Sequence, residues 1–259
     1  MKKNAKIFTL ISLILFVFIC PAYAKPDRTG NWNFNETTGL INIPSARIMK
    51  HKTAVIYIRM AKLGKRPPLK DKSQSSSPGP STGKPWDSDW WIDNDGDRGL
   101  RISPIKNVEL NFMNVHSYQL APVVAGKVVV LEETKSLPAV TIGVQNVLSA
   151  KEDKAHSQEV QDANGKPAPF IAATKSIGSG DGFMDLTVGY GGGRFRNKIF
   201  YGGELFLDKK HYFSALGEYD GNVINYGVKY RLPGNRWDFG FFIEDKNQPG
   251  FTFSYTIPF

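Results

Sequence analysis

At 259 residues, 41% of them hydrophobic, 12% aromatic and 22% charged, the chain is long and apolar enough to bury a core, which excludes a disordered protein. Its 33 Lys and Arg outnumber 24 Asp and Glu for a net charge of +9, or +6 without the three lysines of an N-terminal leader. The basic residues are interleaved with Tyr and Phe rather than clustered, which argues against a nucleic-acid partner.

Residues 1–24 read as that leader, a cleaved secretory signal: Lys2, Lys3 and Lys6 open it, an apolar run extends from Ile7 to Cys20, and Ala22-Tyr23-Ala24 makes a small-x-small cleavage site. The apolar run falls short of the roughly 20 residues a membrane helix needs. Bulky Ile19 and Pro21 on either side of Cys20 argue against lipoprotein processing. Cys20 is the only cysteine, so the mature chain is expected to lack disulfides, a thiol nucleophile and cysteine metal sites. Residues 25–51 form an N-terminal lead-in to the strands. Its Gly39-Leu40-Ile41-Asn42-Ile43-Pro44 stretch is apolar enough to seek cover, and the lead-in is expected to fold into a barrel lumen as a plug.

After residue 24 helical periodicity is scarce, and alternation with a period of two recurs between Gly, Asn, Asp and Pro. The alternation predicts twelve strands, at 52–62, 97–103, 106–117, 123–132, 137–147, 168–177, 182–192, 198–207, 210–219, 223–231, 235–244 and 250–259. In the last, Phe251, Phe253, Tyr255, Ile257 and Phe259 share one face and Thr252, Ser254, Thr256 and Pro258 the other. Trp237, Phe239, Phe241 and Ile243 repeat the pattern, as do Ile224, Tyr226, Val228 and Tyr230. A soluble sandwich would show the same alternation with its apolar face inward. The export signal, strands near the 9 to 11 residues needed to cross a bilayer, and the aromatic last residue favour an all-β antiparallel transmembrane β-barrel over 52–259 instead. Phe259 is then the expected assembly signal.

With an even number of strands the connections sort by length. Both long ones, 63–96 and 148–167, fall at the end expected to be extracellular, and the opposite end carries only short turns. The first long loop holds Ser75-Ser76-Ser77-Pro78-Gly79-Pro80 and then Trp86, Trp90 and Trp91, which could stack on sugar rings, form an aromatic girdle or pack in a folded loop tip.

The stretch Thr38-Gly39-Leu40-Ile41-Asn42-Ile43-Pro44-Ser45-Ala46-Arg47, succeeded in order by Leu137 to Asn146, Ala172-Ala173-Thr174-Lys175, Gly182 to Gly193, Tyr201-Gly202-Gly203-Glu204 and Gly217-Glu218-Tyr219-Asp220, resembles the YjbH family of outer-membrane proteins linked to exopolysaccharide and capsule operons. The chain looks like a short, single-barrel version. The resemblance implies a Gram-negative outer-membrane barrel that assists exopolysaccharide production, export or surface organisation. Its partners would be outer-membrane lipid, the barrel assembly machinery, and the exopolysaccharide with its export proteins. A structural or interaction barrel with a closed lumen is the alternative, and a lipid-modifying barrel enzyme the remoter one.

Inward positions carry both signs: Arg59, Arg101, Glu109, Lys127, Lys175, Asp185, Glu204, Glu218, Lys229, Arg231, Asp238 and Glu244 are expected to line the lumen, as a bracing network or a solute path. Tyr57, Phe200, Phe206, Tyr212 and Phe242 are bulky inward residues. No enzyme, cofactor or metal is expected. His116 and Ser117 point to opposite faces of a strand, and His156-Ser157 sits in a loop, so neither makes a catalytic pair. Asp93-Asn94-Asp95-Gly96-Asp97 begins like a calcium loop but has Arg98 and Pro104 where Gly and Glu are required. The run Gly189, Gly191, Gly192 and Gly193 reads as strand with no helix after it, so a phosphate cradle is not expected.

Overall fold

The computed structural model describes residues 38–60, 97–115, 121–147, 167–178, 184–234, 236–244 and 248–259. The predicted signal at 1–24, residues 25–37, Trp86, Trp90 and Trp91, the acidic run 93–96, His116 with Ser117, and His156 with Ser157 lie outside them.

The described chain is all-β. Its strands are β1 (Thr53–Met60), β2 (Asp97–Ser103), β3 (Val108–Val115), β4 (Ala121–Leu131), β5 (Ala139–Gln145), β6 (Ala168–Ile177), β7 (Met184–Gly191), β8 (Lys198–Phe206), β9 (Phe213–Tyr219), β10 (Ile224–Arg231), β11 (Trp237–Glu244) and β12 (Gln248–Pro258). Each pairs antiparallel with its neighbours in sequence, and β1 closes the sheet by pairing with β12 from Thr53↔Pro258 to Met60↔Phe251. Closure removes the free edges that an open sheet of this size would expose.

All twelve predicted strands are present, most with ends shifted by one to three residues, and two departures bear on the interior. β9 begins at Phe213 rather than 210, because the Asp208 carboxylate accepts the N–H groups of Lys210 and Phe213 and Leu207 N–H bonds Phe213 O. Tyr212 therefore sits in the turn. Of the glycine run, only Gly189 and Gly191 belong to β7; Gly193, at φ 54°, opens a single 3-10 turn (Gly193–Phe195) that drops Phe195 into the interior, 4.7 Å from Phe200. Where the sequence pattern predicts no helix, one short turn is found.

Polarity alternates as strand geometry requires. Ile56, Leu100, Phe112, Ile142, Ile171, Tyr226, Phe239 and Phe241 are exposed on the outside, whereas Arg101, Glu109, Asn111, Thr174, Asn225 and Asp238 are at most 1% exposed on the inside. Outer aromatics pair across strands, Trp237 with Phe253 and Tyr255, and Phe239 with Phe253. Inside, four rings crowd a directly paired glycine: Tyr57 at Gly99, Phe170 at Gly143, Phe200 at Gly189 and Phe242 at Gly250. A Cβ at any of these glycines would collide with the ring beside it.

Candidate functional site: the charged lumen and the segment inside it

Residues 38–49 lie inside the barrel. Thr38 to Ser45 make a tight hairpin, closed by Leu40 N–H to Ile43 O at 3.0 Å, Ser45 N–H to Thr38 O at 3.1 Å and a bridge between Gly39 and Pro44. Its contacts go all around the wall. Leu40 and Ile43 pack with Ala168, Phe170, Ala172, Phe195 and Phe200; Ile41 packs with Leu216 and Phe242; Met49 packs with Val55, Tyr57, Met113 and Val123. Leu40, Ile41, Ile43 and Met49 are at most 2% exposed. Only a position in the lumen satisfies contacts with β1, β3, β6, β8, β9 and β11 together.

The polar contacts run from wall side chains to hairpin backbone. On β9 the Glu218 carboxylate accepts the N–H groups of Ile41 (2.8 Å), Asn42 (2.7 Å) and Ile43 (3.3 Å), plus Asn225 Nδ2 (2.9 Å). On β3, six strands away and so diametrically opposite, Glu109 accepts the Thr38 N–H (2.6 Å), the Thr38 hydroxyl and the Met49 N–H (3.3 Å). On β4, Lys127 Nζ donates to the carbonyls of Thr38 (2.6 Å), Ser45 (2.9 Å) and Arg47 (2.5 Å). Ala46 N–H donates to Thr174 Oγ1, itself bonded to Thr187. A segment whose backbone offers donors and acceptors side by side, Pro44 alone lacking an N–H, thus occupies wall groups of both signs that would otherwise be buried at high cost.

Arg47 fixes the near end, the end of the short turns. Its guanidinium donates to Asp185 (3.0 and 3.2 Å), Glu133 (2.5 Å) and Ser176 (2.5 Å). Burial by itself lowers the Arg47 pKa; the charges and hydrogen bonds of Asp185 and Glu133 outweigh it and hold it above the ordinary guanidinium value, so Arg47 stays charged.

The remaining inward residues pair with one another. Arg59 meets Glu244 at 2.5 Å and Asp97 at 3.8 Å near the far end, with its guanidinium 5.5 Å from the Phe242 ring centre. Arg101 meets Glu109 at 3.7 Å, Lys229 meets Glu204 at 3.4 Å and Arg231 meets Asp238 at 2.7 Å. Lys175 is the exception to the expected lining. Thr174 and Ser176 on either side of it face inward, so alternation turns Lys175 outward, in register with Leu186, and its ammonium tucks under the β4–β5 turn against the carbonyls of Thr134, Lys135 and Leu137.

The sequence pattern assigns no role to Arg47, Glu133, Thr38 or Ser176. The one available signal is Arg47 itself, a cation at the end of an otherwise uncharged stretch from Thr38 to Ala46. Among the histidines, His211 stacks on Phe206 in the β8–β9 turn and His51 is exposed ahead of β1. Among the described residues no group of three or more His, Cys, Asp or Glu is arranged to hold a metal ion.

No family model and no curated protein sequence matches the chain. Among the solved structures that match, one described as "Asymmetric conductivity of engineered proteins" is 9% identical over 64% of this chain, with a TM-score of 0.30. The chain spans a little over half of that protein's length, 56%, and a likeness this slight carries no argument. The fold and the lumen define the class: a closed twelve-stranded antiparallel barrel with an internal segment held at its backbone.

Proposed function

We propose that this chain is an outer-membrane β-barrel that assists exopolysaccharide production, export or surface organisation, with residues 38–49 as its resting plug. One observation carries the membrane part: the closed barrel is aromatic and aliphatic outside and charged inside, the inverse of a water-soluble barrel. Among the described residues no second sheet covers the exposed belt of Ile171, Tyr190, Tyr201, Tyr226, Phe239 and Phe241, and lipid is the natural cover. The near end then faces the periplasm. The leader at 1–24 fits the export this requires.

The polysaccharide part rests on the resemblance to the YjbH family. The stretch that opens that resemblance, Thr38 to Arg47, is the stretch the lumen wall holds, which ties the family likeness to the plug. Deleting the gene and measuring secreted polysaccharide tests it: a reduced yield, restored by the full chain, is expected, and an unchanged yield refutes the role.

The closed-lumen structural barrel is the second reading, favoured by the dense bonding of the plug. Planar-bilayer recordings separate the two. A barrel that stays closed under every condition and every plug variant is structural, whereas one that opens when the plug is loosened is a gated path.

A further inference from the structure

We propose that Lys175, on the outer side of the wall, is a positioning residue for the plug: it holds the β4–β5 turn so that Glu133 reaches into the lumen and clasps Arg47. The turn, residues 132–138, is then the latch at which the plug is released. The inference rests on the reading of residues 38–49 as a releasable plug and is independent of what the barrel handles.

Both ends of the plug stand at the near end of the barrel. Thr38 and Met49 donate their N–H groups to one carboxylate, that of Glu109, the second residue of β3. The tip, Ile41 to Ile43, reaches Glu218 beside the far end of β9. Because Met49 runs on through Lys50 to Lys52 into β1, the hairpin can be withdrawn only through the near end. Arg47 stands on that path. Its guanidinium is 3.0 Å from Asp185 and 2.5 Å from Glu133, so leaving strands two buried carboxylates, 8% and 4% exposed.

Of those two partners, Asp185 is fixed by its place in β7, whereas Glu133 belongs to a turn that the sheet does not hold. The β4–β5 pairing shifts register between Val129 and Leu131 and stops at Leu131↔Val140, which leaves residues 132–138 outside the ladder. Thr134 N–H to Leu137 O and Leu137 N–H to the Thr134 hydroxyl, both 3.0 Å, shape the turn internally. They do not set where it lies against the barrel.

The end of β6 does that, from both of its faces. Ala139, the first residue of β5, pairs with Thr174, so Lys175, Ser176 and Ile177 extend past β5. There the Ser176 N–H donates to Glu133 Oε1 at 2.8 Å in place of a strand partner. From the outer face, Lys175 Nζ donates to the carbonyls of Thr134 (3.0 Å), Lys135 (3.0 Å) and Leu137 (3.2 Å), the first of them next to Glu133 in the chain. The other outward residues of this stretch, Ile171, Ala173 and Ile177, are apolar, and Lys175 itself is fully buried. Its charge therefore serves the turn rather than the sheet. Contacts thus cross the wall in one line, from Lys175 to the turn carbonyls, to Glu133, to Arg47. Thr134 to Leu137 are exposed, so the latch can be reached without entering the lumen.

The test uses the full chain refolded in detergent micelles, with heat-modifiable gel mobility to check folding, and follows trypsin cleavage after Arg47 by mass spectrometry. Lys175→Met keeps the length of the side chain and removes an ammonium that lies outside the lumen. Cleavage should rise about tenfold, the size of one charge-assisted hydrogen bond, and Lys175→Arg should restore protection. Glu133→Ala should raise cleavage about as much. Lys175→Met added to Glu133→Ala should raise it no further, because both open the same clasp, whereas added to Glu218→Gln at the tip it should act with its full factor. Coupling between sites is reciprocal, so Arg47→Ala should speed cleavage after Lys135 in the turn, which tests the latch even where Lys175→Met does not fold. A folded Lys175→Met with Arg47 still protected, full additivity with Glu133→Ala, or unchanged cleavage after Lys135 in Arg47→Ala each overturns the proposal. If Lys127→Met and Glu218→Gln release the plug and Lys175→Met does not, the latch alone fails. If none of the three releases it, the plug is a fixed part of the barrel, and the releasable-plug reading falls together with the latch.

Discussion

Replacing Lys127 with Met keeps the length of the side chain and removes its charge, so the perturbation falls on the plug more than on the barrel. Three plug carbonyls lose their ammonium donor. The Thr38 carbonyl keeps Ser45 N–H and the Ser45 hydroxyl, so the loss is concentrated at Ser45 and Arg47. Glu109, in register with Lys127 on β3, retains Arg101 at 3.7 Å and is not left as a lone buried charge. Hydrogen bonds to a charged group contribute about 1.5–3 kcal/mol each, which puts the loss at about 3–5 kcal/mol. A loss of about 4 kcal/mol moves the ratio of docked to undocked plug by about a thousandfold. The backbone ladders joining β4 to β3 and β5 do not use the ammonium, so the barrel should stay folded. Lys127→Met should therefore keep heat-modifiable mobility while conductance rises and trypsin gains access to Arg47. A folded variant with unchanged conductance and Arg47 still protected would refute the idea that ionised wall groups hold the plug.

Phe253→Arg, on the outer face between Phe239 and Trp237, should destabilise the barrel in lipid by about 2–4 kcal/mol if it lies near the bilayer midplane, read by urea titration in vesicles. Gly189→Ala should cost about 1–3 kcal/mol, because the new methyl meets the Phe200 ring, and Phe200→Leu in the same chain should recover part of it. Asp208, in the β8–β9 turn, feels burial that would raise its pKa, yet the N–H groups of Phe213, Tyr212 and Lys210, with His211, bring it below its ordinary 3.8. A lowered pKa stabilises the turn above the unfolded value and loses that support as pH falls through the folded one, so NMR should show the Phe213 amide shifting only below about pH 4. Asp208→Asn should abolish that acid step.

The strands are legible because a barrel of this kind writes its pattern locally: inside and outside alternate along every strand, so no long-range knowledge is needed. The same logic fails where a side chain overrides the alternation. Asp208 captures the backbone N–H groups of its own turn and delays β9, and Lys175 reads as inward by its charge although its parity, which its neighbours Thr174 and Ser176 fix, turns it out. The plug is legible only as an apolar stretch in need of cover. Its partners are not, because Ile41 meets a residue 177 positions away and Thr38 one 71 positions away. Glu133 reads as a turn residue, and nothing local says that its carboxylate reaches back to Arg47.

Glu109 and Lys127 face each other across β3 and β4, yet both spend their hydrogen bonds on the plug. An undocked plug would leave them adjacent and of opposite sign, free to bond to each other. The open lumen therefore recovers part of what undocking loses, and docking is weaker than its count of hydrogen bonds suggests. The shared partner makes the two residues thermodynamically coupled. Either single change, Glu109→Gln or Lys127→Met, removes a plug contact and also deprives the open lumen of its compensating pair; the double change removes both contacts but loses that pair only once. The effects on the docked-to-undocked ratio should then be non-additive, by about 0.5–3 kcal/mol. The cycle is measured from plug protection against trypsin in the four folded proteins. Strict additivity would mean that Glu109 and Lys127 never meet, and that the empty wall stays open and solvated rather than closing on itself.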